Sequence, residues 1–504
     1  MRDFNDKGHS LTRLNILIIT SEFPSHIYAT VKLAKSCAQR GHQVTFAAPG
    51  TETLAKIILL TKGFPIYCVQ VGSNKKITHN VNERYAKDPY SWETFIRSLQ
   101  NPFPMAQGLT ETLCKPQEGM YEPIKKMLFH GNFNIALPVH SVATTVCDAV
   151  ESLGHQVDTQ VMIFNSLPYD PGMHENLSTN WNTCIPALPH VVGYTQTKQS
   201  FSNPLTLFSQ FFWQMVDATI RYYAYVNAGQ VINNIRKGRG LKPVPCGFLS
   251  YFQRYPAITF GGLDLFTDDR SMNTTPSRVT PIGLLDMDGA SPELSPSLQG
   301  FVYGATQGII YIGFGTGVVM TETEATKIAQ DLVRTVQRRK PGVRILLSLR
   351  PSEQQRLTKI FEQAIGFAPT SKSSSHLEYL HGVLRIESHV PQASLLKSGR
   401  VRIFFSHMGM GGFTEGVVAG VPFACYPSGC DQFYNTERAI SAGIGVRVPC
   451  GMDGVGSIIV DAMDSESMFS AAHEASRRVR ALNGSKRAMD AIERYASLST
   501  KGAY

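Results

Sequence analysis

Residues 402–448 read RIFFSHMGMGGFTEGVVAGVPFACYPSGCDQFYNTERAISAGIGVRV. The run Ile403-Phe404-Phe405 is apolar without alternation, as a parallel strand covered on both faces requires. Ser406-His407 and a glycine-rich turn with Gly409, Gly411 and Gly412 follow, and then a helical pattern that carries Glu415. Strand, glycine turn and helix start in this order make an anion site. The first N–H groups of the helix have no intrahelical partner, the helix dipole adds partial positive charge beside them, and glycine lets the backbone come close. Further along, Asp431-Gln432 sets a carboxylate beside an amide, the mixed donor and acceptor set that a sugar requires.

Working outward, the same strand-led rhythm recurs. Leu14–Thr20 (LNILIIT) is another continuous apolar run. Val31, Leu33, Ala34, Cys37 and Ala38 repeat at helical spacing up to Arg40-Gly41, and Gln43–Ala48 gives a second strand. Phe133–Val139, a helix through Leu153 and Val157–Phe164 repeat the unit. After the Pro- and Ser-rich SPELSPS (291–297), strands are expected at Gly308–Gly313, Ile345–Ser348, Leu384–Ile386 and Arg402–Phe405. The pattern predicts an α/β protein of two Rossmann-like, doubly wound parallel-sheet domains. The expected domains are 13–285 and 301–464, with a linker at 286–300 and a helical tail at 465–504.

The 504 residues are 43% hydrophobic and 17% charged, enough for two large cores. The net charge of +9 comes from scattered lysines and arginines, which reads as a solvated basic surface and not as a nucleic-acid footprint. Nine cysteines without a CxxC pair indicate neither a zinc site nor a disulfide framework. The first apolar run is too short for a signal peptide, and no stretch is apolar over a membrane-spanning length. A cytoplasmic protein without a transmembrane segment is the expectation. The aromatic segment 204–226, with Phe208, Phe211, Phe212 and Trp213, suits a core or an apolar acceptor pocket, and leaves a peripheral membrane contact open.

The opening stretch resembles the signature of the UDP-sugar-dependent glycosyltransferases. The matching positions are His407, Gly409, Gly412, Glu415, Gly420-Val421-Pro422, Pro427, Asp431-Gln432 and Asn435, and the resemblance extends over about residues 13–470. It implies the two-domain GT-B architecture and a UDP-sugar donor. It further implies that His407, Gly409, Gly411 and Gly412 hold the diphosphate, Glu415 the ribose hydroxyls, and Asp431 and Gln432 the hexose. HVPQ (389–392) is similar to the family's Trp-x-Pro-Gln, with His389 where the uracil-stacking Trp usually stands, Val390 offering its backbone to the base edge, and Gln392 retained. Gly315 and Thr316, after the strand at 308–313, resemble a second diphosphate turn.

His26 lies just past the end of the first strand, where open α/β sheets bind ligands, and a histidine there can act as a general base. The resemblance agrees, and it marks His42 as structural. It also implies an Asp after a later strand to orient the base; here Val139 occupies that place, beside His140. Either His26 works without a carboxylate, or Glu22 or Asp148 substitutes, or the protein is slow or inactive. The expectation is an inverting glycosyltransferase that moves a hexose, glucose being the favoured one, from a UDP-sugar to a hydroxyl of a hydrophobic small molecule or lipid. No metal and no cofactor are called for. A catalytically lapsed nucleotide-sugar-binding protein of the same fold is the alternative.

Overall fold

The structure, a computed structural model, describes residues 13–72, 118–166, 229–245, 248–260, 278–285, 293–315, 320–364, 382–428, 432–449 and 451–499. Two parallel sheets organise them. In the first half, β1 (Asn15–Ile19), β2 (Gln43–Ala48), β3 (Ile66–Gln70), β4 (Ile135–Pro138) and β5 (Gln160–Val161) lie in the order β3-β2-β1-β4-β5. The expected strand at 157–164 is broken at Met162, and its second part, β6 (Ile163–Asn165), leads a smaller parallel sheet with β7 (Ala257–Thr259) and β8 (Val279–Pro281). A bridge between Val139 and Phe164 joins that sheet to the first.

The second half holds β9 (Ile309–Gly313), β10 (Arg344–Ser348), β11 (Leu384–Glu387), β12 (Val401–Ser406), β13 (Phe423–Cys425) and β14 (Gly445–Arg447), ordered β11-β10-β9-β12-β13-β14. This is the doubly wound order, in which successive crossovers depart in opposite directions from the central pair β9 and β12. The first half does the same about β1 and β4. Four strands, β1, β4, β9 and β12, are almost wholly buried, which is why each reads as an unbroken apolar run.

Five helices matter to the site. α1 (Pro24–Gln39) follows β1 with proline in its first turn, and Gly41 (φ +93) lies just past its end. α2 (Met410–Ala419) follows β12 and ends at Gly420 in the left-handed conformation. α3 is Gln432–Ser441. The charged tail is not one helix but two, α4 (Glu466–Leu482) and α5 (Gly484–Ser499), because Asn483 takes a left-handed conformation (φ +48) between them. The linker stretch is itself partly helical: Ser295 caps Pro296–Tyr303, accepting from the Leu298 N–H at 3.3 Å.

The two tail helices go to different places. α4 packs on α2, with Ser476 Oγ and Arg480 donating to the Val418 carbonyl at 2.6 and 3.0 Å. α5 packs on α1: Arg40 forks onto Glu493 (3.0 and 3.1 Å) and reaches Asp490 at 3.1 Å. His42 is structural as expected; its Nδ1 accepts the Leu14 N–H at 3.3 Å, which leaves Nε2–H to donate to Glu493 at 3.0 Å. The chain leaves the first half after Leu285 and returns to it after Asn483, where a Cβ on Gly484 would lie 2.2 Å from the Leu284 carbonyl oxygen. Among the described residues no helix is long and apolar enough to cross a membrane.

Candidate active site

At the carboxyl ends of β9 and β12, Gly313 pairs with Ser406, and the diverging crossovers open a crevice there. His407 follows directly. Its ring is wedged between two glycines: a Cβ on Gly315 (φ +64) would lie 2.7 Å from His407 Cε1, and one on Gly409 would lie 2.4 Å from Nε2. Both positions therefore need glycine because of the imidazole, before any ligand is considered. Burial pushes His407 down to about 4, against a smaller upward pull from the Gly313 backbone, so at neutral pH it offers a neutral ring.

Between His407 and Gly409, Met408 has φ +65, a conformation that costs a non-glycine residue about 1 kcal/mol or more. Three features hold it. Its side chain is fully buried, its N–H donates to Ser406 Oγ at 3.0 Å, and its carbonyl accepts from Asn435 Nδ2 on α3 at 2.8 Å. Gly409 has no side chain to cap α2, so the dipole of a helix of 10 residues opens onto the turn. A Cβ on Gly411 would meet nothing within 4 Å, whereas one on Gly412 would be in ordinary contact with Gln392 and Phe404.

Glu415, one turn into α2, is tied to the sheet. Gln392 Nε2 donates to Glu415 Oε2 at 2.8 Å, and Gln392 Oε1 accepts from the Tyr311 hydroxyl at 3.0 Å. Tyr311 stacks on Phe404 with ring centroids 5.0 Å apart, and burial together with the Glu415 charge pushes its phenol up. The structure thus brings Gln392 and Glu415 together; Tyr311, which joins them, was not singled out from sequence, and only its place inside an apolar strand marks it. His389 is exposed past the end of β11, while Val390 is buried. Gln432 opens α3, its Oε1 accepting the Ser428 N–H at 2.8 Å. Thr316 and Asp431 lie outside the described residues, as do Phe208, Phe211, Phe212 and Trp213.

The first half builds a second crevice at the ends of β1 and β4. His26 is buried on the first turn of α1. Its Nδ1 lies 2.7 Å from Ser21 Oγ and 3.0 Å from Ser141 Oγ, and its ring meets Phe23 and His140 edge-on, with centroids 5.2 and 4.5 Å away. Burial, and then the neighbouring His140, hold His26 well below the usual histidine range; burial alone takes His140 down to about 4. Val139 is fully buried and offers no charge. Asp148 is not a substitute: it accepts from Tyr251 Oη and Arg239 at 2.8 Å each and is paired with the buried Arg236, a network that serves the core of the first half. Ser21 and Ser141 were missed from sequence, because hydroxyls 5 and 115 residues from His26 leave no pattern.

α1, which carries His26 at its start, packs directly against α2, whose N-terminus is the anion turn.

Two doubly wound sheets with these crevices form the GT-B glycosyltransferase fold. Solved glycosyltransferases superpose on nearly the whole chain: VinC, in complex with dTDP, at TM-score 0.59 and 13% identity, covering 96% of this chain and 100% of that one. The glycosyltransferase of kitacinnamycin matches at TM-score 0.57 and 16% identity, covering 96% and 99%. Residues 277–454 match the family of UDP-glucuronosyl and UDP-glucosyl transferases. A myricetin 3-O-rhamnosyltransferase of Crocosmia x crocosmiiflora is 32% identical over 37% of this chain and 38% of its own length. A putative UDP-glucuronosyltransferase of Caenorhabditis briggsae is 22% identical over 87% and 74%. Over residues 277–454 the chain carries the sequence pattern of the UDP-glycosyltransferase family. It aligns with less than half the length of the plant relatives.

Proposed function

We propose that the protein is an inverting glycosyltransferase that moves a hexose, glucose being the favoured one, from a UDP-sugar to a hydroxyl of a hydrophobic small molecule or lipid. The observation that carries this reading is the packing of α1 on α2, which makes neighbours of a helix that begins with a buried histidine and a helix that begins as an anion site. The acceptor oxygen attacks the anomeric carbon in line. As that bond forms, the bond from the anomeric carbon to the diphosphate breaks, UDP departs with the electron pair, and His26 Nε2 takes the acceptor proton. His407 and the first-turn backbone of α2 supply donors and dipole to the leaving diphosphate, so this reading calls on no metal. Glu415 accepts the ribose hydroxyls, Val390 and Gln392 flank the base beside His389, and Asp431 and Gln432 receive the hexose.

The test is UDP release from UDP-glucose in the presence of a panel of phenols and sterols. Release that depends on acceptor and disappears in His26→Ala supports transfer. The absence of a carboxylate at Val139 favours a second reading, a nucleotide-sugar-binding protein without turnover; tight UDP binding with no release under any acceptor would establish it instead.

A further inference from the structure

The His26 surroundings have a feature that the transfer reading does not use. Nδ1 faces two hydroxyls from different elements, Ser21 at the end of β1 and Ser141 in the turn after β4, at 2.7 and 3.0 Å. A hydroxyl can accept a hydrogen bond from an imidazole N–H and donate its own elsewhere, so a pair of them can hold Nδ1–H without any charge. The ring is fixed on its other sides by Phe23 and by His140. Among the described groups, His140 is the ionisable neighbour whose charge bears on His26. Nε2 has no hydrogen-bond partner among the described residues.

We propose that Ser21 and Ser141 are the positioning residues of His26, a hydroxyl clamp that keeps the proton on Nδ1 and so leaves the Nε2 lone pair for the acceptor. The inference rests on the reading of His26 as the base and adds how it is oriented. The clamp selects the tautomer and the ring angle, the geometric part of what a carboxylate would do, and leaves out the electrostatic part, because a hydroxyl does not balance an imidazolium. The proton taken at Nε2 must therefore pass quickly to solvent or to product, and a carboxylate placed at residue 141 should add the missing charge.

NMR of the full-length protein with isotope-labelled histidine reads the tautomer without substrate. The expected result is an Nδ1–H tautomer for His26 that becomes mixed in Ser21→Ala/Ser141→Ala; an Nε2–H tautomer in the unaltered protein overturns the clamp. In the UDP-release assay the double variant should lose about 10- to 100-fold in kcat with an unchanged affinity for UDP, measured by calorimetry, which also reports folding. Ser141→Asp should move the acidic limb of the pH profile upward. Unchanged kcat in the double variant, alongside loss of activity in His26→Ala, overturns the proposal. Full activity in His26→Ala instead overturns the reading of His26 as the base, while the tautomer measurement still decides the clamp.

Discussion

Gln392 donates to Glu415 at 2.8 Å while it accepts from the buried Tyr311 hydroxyl, so the carboxylate assigned to the ribose is fixed by an amide that is itself fixed by the sheet. Glu415→Gln removes a charged acceptor. It should weaken UDP binding by about 1.5–3 kcal/mol, roughly 10- to 100-fold in Kd, with little change in Tm. Tyr311→Phe should do the reverse, costing about 1 kcal/mol in stability by removing the donor to Gln392, with a smaller effect on UDP. Calorimetric titration and thermal unfolding separate the two.

Neighbouring glycines of the anion turn should respond differently. Gly409→Ala drives a methyl group into His407 and should cost about 1–3 kcal/mol of stability together with UDP affinity. Gly411→Ala meets no atom of the protein and should unfold normally, yet raise the Kd for UDP if the diphosphate lies against that backbone. Equal Tm losses in both variants would contradict this account of the turn.

Acid should destabilise the fold through its buried histidines. His26, His140 and His407 all have folded-state values below the ordinary 6.5, the last two at about 4. Above pH 6.5 both folded and unfolded chains are neutral at these positions and stability does not depend on them. Below 6.5 the unfolded chain takes up protons that the folded chain refuses, so stability falls between pH 6.5 and about 4 by as much as about 1.4 kcal/mol per pH unit for each such group. His140→Phe keeps an edge-on ring and removes one group. The slope of unfolding free energy against pH, from denaturant titrations, should drop by about one proton in that window.

Much of this was legible in the sequence where burial on both faces forces a continuous apolar run. β1, β2, β9 and β12 fall within a residue at either end of Leu14–Thr20, Gln43–Ala48, Gly308–Gly313 and Arg402–Phe405. β3 was not picked out: Ile66–Gln70 is only partly covered, and its apolar run, IYCV, is short. The tail break was available in the Asn483-Gly484 pair, a turn dipeptide that helical composition on either side concealed. In the site, His407, Glu415 and Gln392 were marked by the family resemblance. The partners of His26 were not, since a hydroxyl clamp from β1 and the turn after β4 exists only once those strands lie side by side.

Asp148 tests the distinction between scaffold and site. Its pairing with Arg236 is buried, so Asp148→Asn should cost about 3–5 kcal/mol by leaving the guanidinium without its counter-charge. UDP affinity, which the proposed function assigns to the other half, should be unchanged in whatever fraction remains folded.

The contact between Gly484 and Leu284 has a mechanical meaning. Gly484, at the start of α5, lies against Leu284, at the end of the described chain of the first half, so the chain returns to the first half beside the point where it leaves. On either side of it, α5 is packed on α1 and α4 on α2. A rotation about that point would change the separation of His26 from the glycine turn at the start of α2. A bulkier residue at position 484 would act as a doorstop, altering how often base and donor meet without touching either.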